Sequence, residues 1–83
     1  MPMIARIYIT LKPGVLDPQG KTIHHALGSL GYDEVEGVRL GKYVVMHLKD
    51  ENPGQARKRI EEMCRKLLAN PVIEEYRFEI EGA

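Results

Sequence analysis

The chain has 83 residues, with twelve Lys or Arg balanced by twelve Asp or Glu and 43% apolar residues. That length predicts a single domain, residues 1–83, with a thin core that buries only about 60–65% of the surface its unfolded form exposes, so self-association is expected. Neutral net charge removes any general attraction to nucleic acid or an anionic membrane, and the apolar content argues against disorder.

The single cysteine, Cys64, has no internal partner for a disulfide, and the N-terminus lacks the charged-then-apolar pattern of a signal peptide. The longest strongly apolar run, Tyr43 to Met46, is far short of the roughly 20 residues that span a bilayer. A cytoplasmic chain without a membrane partner is expected.

From Met3 to Leu11 apolar residues alternate, with Met3, Ala5, Ile7, Ile9 and Leu11 on one side, which predicts a half-buried strand. Ile4 and Tyr8 on the other side are candidates for a subunit interface. The stretch Leu11 to Gly20 carries two prolines and two glycines and must leave the sheet, turn and start a helix. It is longer than a strand-to-helix turn needs, which suggests a surface loop with a role. Asp17-Pro18 is a helix start: the aspartate accepts from free N–H groups of the first turn, and proline has no N–H to lose there. Ile23, Ala26, Leu27 and Leu30 then form one helical face, so a helix is predicted over Pro18–Leu30, closed by Gly31. Gly28 inside it suggests close approach by another backbone.

A second strand is predicted over Glu34–Leu40, with a bulge at Gly37 where the apolar phase changes. Gly41-Lys42 reads as a tight hairpin turn, and Tyr43–Lys49 as a third strand. Asn52-Pro53 repeats the start signal, and Ala56, Ile60, Met63, Cys64 and Leu67 give a second helix an apolar stripe that runs to about Ala69. Val72–Ile80 is the last strand. The resulting order, β-α-β-β-α-β, predicts an α+β two-layer sandwich: an antiparallel four-stranded sheet with two helices on one face. The bare second face would hold Ile4, Tyr8, Tyr43 and Val45.

The titratable residues supply no catalytic set. His24 and His25 diverge by about 100° on a helix and cannot share a metal; both read as solvent-facing. His47 reads as surface or interface, and Cys64 as an inert core thiol. Gly37 to Lys42 is one residue short of a phosphate loop and has Tyr43 where Ser or Thr would bind magnesium. Arg39 and Lys42 are candidates to hold an anion or a partner's carboxylates, beside the plainer reading of a charged hairpin. An RNA-binding sheet needs more aromatics on its central strands and a basic surface. The residues alone describe a non-catalytic association domain, with no catalytic, cofactor or metal residues assigned.

Three segments, Leu11-Lys12-Pro13-Gly14-Val15-Leu16-Asp17-Pro18-Gln19-Gly20, Gly41-Lys42 and Leu67-Leu68-Ala69-Asn70-Pro71-Val72-Ile73-Glu74, resemble the PurS family, the small subunit of the phosphoribosylformylglycinamidine synthase complex of de novo purine biosynthesis. The resemblance implies a chain without catalysis of its own, a subunit of an ATP-dependent glutamine amidotransferase-type ligase. Such a chain is a homodimer, or a tetramer, that bridges the glutaminase and synthetase subunits and supports ammonia transfer. It implies no cofactor here, with ATP and Mg on the partner synthetase. The expected partner-binding residues are Lys12, Pro13, Gly14, Asp17, Pro18, Gln19 and Gly20 in the loop, Arg39, Gly41 and Lys42, and Asn70, Pro71 and Glu74. The alternative class is a small-molecule-binding regulatory domain of ferredoxin-like type, which shares the element order.

Overall fold

A computed structural model describes residues 3–49 and 52–82. The elements are β1 (Met3–Leu11), α1 (Pro18–Ser29), β2 (Gly41–Leu48), α2 (Pro53–Met63) running on into a π-helical turn (Cys64–Leu68), and β3 (Glu74–Gly82). β1 is the central strand of a three-stranded sheet ordered β2-β1-β3, antiparallel on both sides. The register places Ile7 opposite Val44 and Phe78, and Ala5 opposite Met46 and Ile80. The period of two therefore collects the apolar side chains of all three strands on one face. α2 lies on that face. Ala5, Ile7, Ile9, Ile60, Cys64 and Ala69 make the buried core, with Val44, Met46, Leu48, Leu68, Tyr76, Phe78 and Ile80 packed partly buried around it.

Both helices start as their sequences require. The Asp17 carboxylate accepts from the Gly20 N–H at 2.8 Å, and Asn52 Oδ1 accepts from Gly54 N–H at 2.9 Å. Gly31, just past α1, has φ +98°, the left-handed conformation that glycine adopts without penalty. The Ala69 N–H reaches back five residues to the Cys64 carbonyl at 2.9 Å, which closes the π turn. β3 begins at Glu74 instead of Val72, because the Ile73 and Glu74 N–H groups both turn back to the Asn70 carbonyl, at 3.1 and 2.7 Å.

The expected four-stranded sandwich does not form. Residues 35–40 belong to no strand, and among the described residues the sheet has three strands. The phase change at Gly37 leaves Val35, Val38 and Leu40 without a common face to bury. Bonds to the other side of the molecule hold the segment instead: the Leu40 N–H donates to Asp17 and the Val35 carbonyl accepts from His24. With no strand before it, Gly41-Lys42 is not a hairpin turn. It opens β2, paired with Thr10 and Ile9. A side chain at Gly41 would run into the Ile9 carbonyl oxygen, so glycine is needed for close strand approach rather than for a turn.

The two helices also do not share one face. The core and its half-buried neighbours include no residue of α1 among the described residues. Ile23, Ala26 and Leu30 on its apolar stripe are exposed, Leu30 at 72%. The radius of gyration is 16.3 Å and the extents are 49 × 27 × 14 Å, whereas a compact chain of this length has a radius of about 12 Å. On the second sheet face, Tyr8 stacks on Tyr43 with 5.1 Å between ring centroids, Arg77 sits 4.0 Å above the Tyr8 ring, and Arg6 pairs with Glu81. The side expected to be bare is partly roofed by charged side chains.

The close approach expected at Gly28 occurs at Gly20. A Cβ at Gly20 would lie 2.5 Å from the Val38 carbonyl oxygen, whereas one at Gly28 meets nothing within 4 Å. Gly20→Ala is therefore expected to lower the melting temperature, while Gly28→Ala raises helix stability by about 0.5–1 kcal/mol. Thermal denaturation of the two variants checks the difference in sign.

Candidate functional site: the loop end of the sheet

The three segments singled out in the sequence meet at one end of the sheet. The chain leaves β1 at Leu11, and Arg39 closes over the loop that follows. Its guanidinium donates to the carbonyls of Leu11 (3.0 Å), Lys12 (2.9 Å) and Val15 (3.1 Å). One planar donor fork thus binds the carbonyl at the end of β1 and two carbonyls of the loop that follows it. Within the loop, the Val15 N–H donates to Lys12 O, and Gly14 takes φ +87°.

Asp17 is buried. One carboxylate oxygen caps α1 through Gly20, and the other accepts from the Leu40 N–H at 2.8 Å. A carboxylate, with acceptors on both oxygens, serves two N–H donors at once; an asparagine would set its own NH2 against one of them. The Leu40 and Gly20 bonds hold the Asp17 carboxyl below its ordinary pKa, and the positive charge of Arg39 adds to them.

The third segment joins through Lys12 and Lys42. The Lys12 N–H donates to the Ile73 carbonyl at 2.8 Å, and its ammonium donates to Pro71 O at 2.7 Å. Lys42 pairs with Glu74 at 3.3 Å, and the same Glu74 carboxylate accepts from the Asn70 N–H at 2.7 Å. Asn70 Oδ1 accepts from Val72 N–H at 3.0 Å. The Asn70 bond, followed by Lys42, lowers the Glu74 pKa.

The expected contact residues divide accordingly. Lys12, Asp17, Arg39, Lys42, Asn70 and Glu74 build the scaffold through internal bonds, and Gly20 is buried within it. Pro13, Gly14, Pro18, Gln19, Gly41 and Pro71 lie exposed on its surface. Between Pro13 and Pro18, Leu16 is 63% exposed, and beside Pro71, Val72 is 78% exposed. Both lie within the expected contact stretches, Lys12 to Gly20 and Asn70 to Glu74, without being singled out there by residue type. An apolar residue inside a turn-rich stretch, with no periodic face to join, is the signal that picks them out.

A concavity of about 460 Å³ lies beside the loop, with Lys21, His24 and Arg39 around it. His24, expected to face solvent, is half-buried and donates from Nε2 to the Val35 carbonyl at 2.8 Å. Asp17, His24 and Arg39 thus spend polar groups on the fold, and this weighs against a small-molecule regulatory site. Among the described residues no group of three His, Cys, Asp or Glu is placed to hold a metal ion, and no helix is long and apolar enough to cross a membrane. Burial raises the pKa of Cys64, as an inert thiol requires.

The family model for PurS, phosphoribosylformylglycinamidine (FGAM) synthase, matches residues 4–82. The chain belongs to the PurS family. The PurS subunit of phosphoribosylformylglycinamidine synthase from Bacillus subtilis is 47% identical over 76 residues, covering 92% of this chain and 89% of that one. The crystal structure of PurS from Methanocaldococcus jannaschii superposes with a TM-score of 0.87 at 42% identity and 98% coverage of both chains. A chain in the structure of PurLQS from Thermotoga maritima gives a TM-score of 0.84 at 32% identity, covering 96% of this chain and 99% of that chain. The membership extends through all three segments at the loop end.

Two outcomes are expected from the scaffold. Asp17→Asn, which keeps the shape but loses one acceptor, lowers the melting temperature at neutral pH by roughly 5 °C, the effect of a lost cap in a domain of this size. A carboxyl whose pKa is lower in the folded chain contributes stability above its unfolded pKa, near 4, and loses it as pH falls through the folded value. The melting temperature of the unaltered protein therefore drops below about pH 4, and Asp17→Asn and Glu74→Gln each flatten that drop. Thermal melts between neutral and strongly acidic pH measure it. Arg39→Ala is expected to speed amide hydrogen exchange at Lys12 to Val15 while leaving the β1 ladder protected, as mass spectrometry of exchanged peptides would read.

Proposed function

We propose that this chain is the non-catalytic small subunit of phosphoribosylformylglycinamidine synthase in purine biosynthesis, a homodimeric adaptor that brings the glutaminase and synthetase subunits together and supports the passage of ammonia between them. The observation that carries the reading is the likeness over nearly the whole chain to the subunit in PurLQS, together with the family match over residues 4–82. The loop end suits an adaptor. Its polar groups are spent on holding loop shape, so a defined surface with Leu16 and Val72 projecting is presented without an ordering cost at binding. ATP and Mg belong to the synthetase partner in this reading, the chain itself carries no cofactor, and the complex works in the cytoplasm.

The chemistry explains why such an enzyme needs a third chain. Ammonia released into neutral water takes up a proton and loses the lone pair with which it attacks. A route between two subunits must therefore keep bulk water out. A rigid neutral domain that fills the space between them does this without a reacting group.

Reconstitution tests the proposal. Synthetase and glutaminase subunits are mixed with and without the chain, and amidine formation is followed from glutamine and separately from added ammonium. Glutamine-dependent activity is expected to require the chain while ammonium-dependent activity survives without it. Equal activity from glutamine in both mixtures would overturn the adaptor role.

A further inference from the structure

Leu16 is an apolar side chain held out into solvent on a backbone that is fixed on both sides. Before it, the Val15 N–H donates to the Lys12 carbonyl at 3.1 Å, and the Val15 carbonyl accepts from the Arg39 guanidinium at 3.1 Å. After it, the Asp17 carboxylate accepts from the Gly20 and Leu40 N–H groups, and the Asp17 carbonyl accepts from the Lys21 N–H at 3.0 Å. The leucine between them is 63% exposed. On a free loop such a residue loses conformational entropy when a partner immobilises it; here the backbone is already ordered by folding.

The concavity of about 460 Å³ beside Leu16 has a surplus of positive charge. Two cations, Lys21 and Arg39, line it against one carboxylate, Asp17. His24 and Arg39 direct their N–H groups at main-chain carbonyls. Lys21 is exposed and makes no ion pair among the described residues. The result is an apolar side chain with an unneutralised ammonium beside it, the arrangement of a contact centre and its charged rim.

We propose that Leu16 inserts into an apolar pocket on another subunit of the synthase, that a carboxylate at the edge of that pocket meets Lys21, and that Arg39 is the positioning residue that holds Leu16 in place. The inference rests on the adaptor reading above and names the anchor, its guide and the chemistry of the surface they fit. Two other occupants fit less well. A free small anion needs several donors converging on it, and the donors of Arg39 and His24 already point elsewhere, so Lys21 alone would hold it, and a single exposed ion pair is weak. A second copy meeting this end about a two-fold axis would set Lys21 and Arg39 against the same cations.

The test titrates the full chain with the purified glutaminase subunit, with the synthetase subunit and with the two together, at low and at high salt. Light scattering and thermal melting are run on each free variant. Leu16→Ala is expected to weaken binding to a subunit about tenfold or more, mainly through faster dissociation, with the mass and melting temperature of the free chain unchanged. Lys21→Gln slows association about threefold at low salt and has no effect at high salt, while Lys58→Gln, an exposed lysine on α2, changes neither. Arg39→Ala also weakens binding, and adding Leu16→Ala to it brings no further loss, since the two act through one contact. Arg39→Lys restores only part of the affinity, because an ammonium lacks the planar fork.

Full affinity of Leu16→Ala for both subunits and for their mixture overturns the anchor. A change in the mass of the free Leu16→Ala chain places Leu16 between copies and overturns it too. A Lys21→Gln effect that is absent at low salt, or equal at both salts, overturns the carboxylate. Displacement of the subunits by free glutamate at matched ionic strength assigns the concavity to a small anion and overturns the proposal. Additive losses for Leu16→Ala and Arg39→Ala overturn the positioning role. An unaltered chain that binds neither subunit nor their mixture overturns the adaptor reading itself.

Discussion

Both oxygens of the Asp17 carboxylate are committed, one to the start of α1 and the other to the end of the segment that precedes β2. That double acceptor makes one rigid piece of parts of the chain that no sheet ladder connects. It sets where α1 departs, and it holds Leu40 where Gly41 can enter the sheet beside Ile9. Arg39, one residue before Leu40, closes the same junction by donating to the carbonyls of Leu11 at the end of β1 and of Lys12 and Val15 in the loop after it. Two charged side chains here replace the backbone pairing that a fourth strand would have supplied. The substitution works because charge-assisted bonds to main-chain groups are stronger than neutral ones.

The hydrophobic part of the chain is divided in consequence. β1 runs through the middle of the sheet with Met3, Ala5, Ile7 and Ile9 buried, and among the described residues α2, with the π turn and Ala69 that follow it, packs in the core with the last three of them. The stripe on α1 stays outside. A domain this small buries a limited share of its apolar surface within one copy, and α1 and its C-terminal end leave Ile23, Ala26 and Leu30 exposed. The two surfaces are built differently: one apolar and helical, the other a polar scaffold with two apolar residues, Leu16 and Val72, standing out from it.

That scaffold fixes the shape of the loop end. Lys12, Lys42, Asn70 and Glu74 lock the turn before β3 to the loop after β1. The side chains that look most like binding residues by type are the ones the fold uses up, while the exposed positions without such side-chain bonds are prolines, glycines and a glutamine. The shape of this surface is held by internal bonds, and the lowered pKa values of Asp17 and Glu74 reflect them.

Local signals were legible in the residues by themselves. The alternation from Met3 to Leu11 defined β1 to the residue, Asp17-Pro18 and Asn52-Pro53 marked both helix starts, and the three motif segments carried the family likeness across most of the chain. Each of these depends on neighbours within a few residues, so one stretch of sequence contains the whole cause. The fate of Glu34–Leu40 and of α1 was decided elsewhere. Strand-like composition there meets no ladder because Leu40 is claimed by Asp17, 23 residues away, and an amphipathic stripe on α1 says that it must be buried without saying against what. The same holds for Gly20 and Gly41, whose need for glycine comes from Val38 and Ile9 across the fold. Periodicity records which side of an element is apolar; only the tertiary structure, through long-range bonds that compete for the same backbone groups, chooses the surface that side meets.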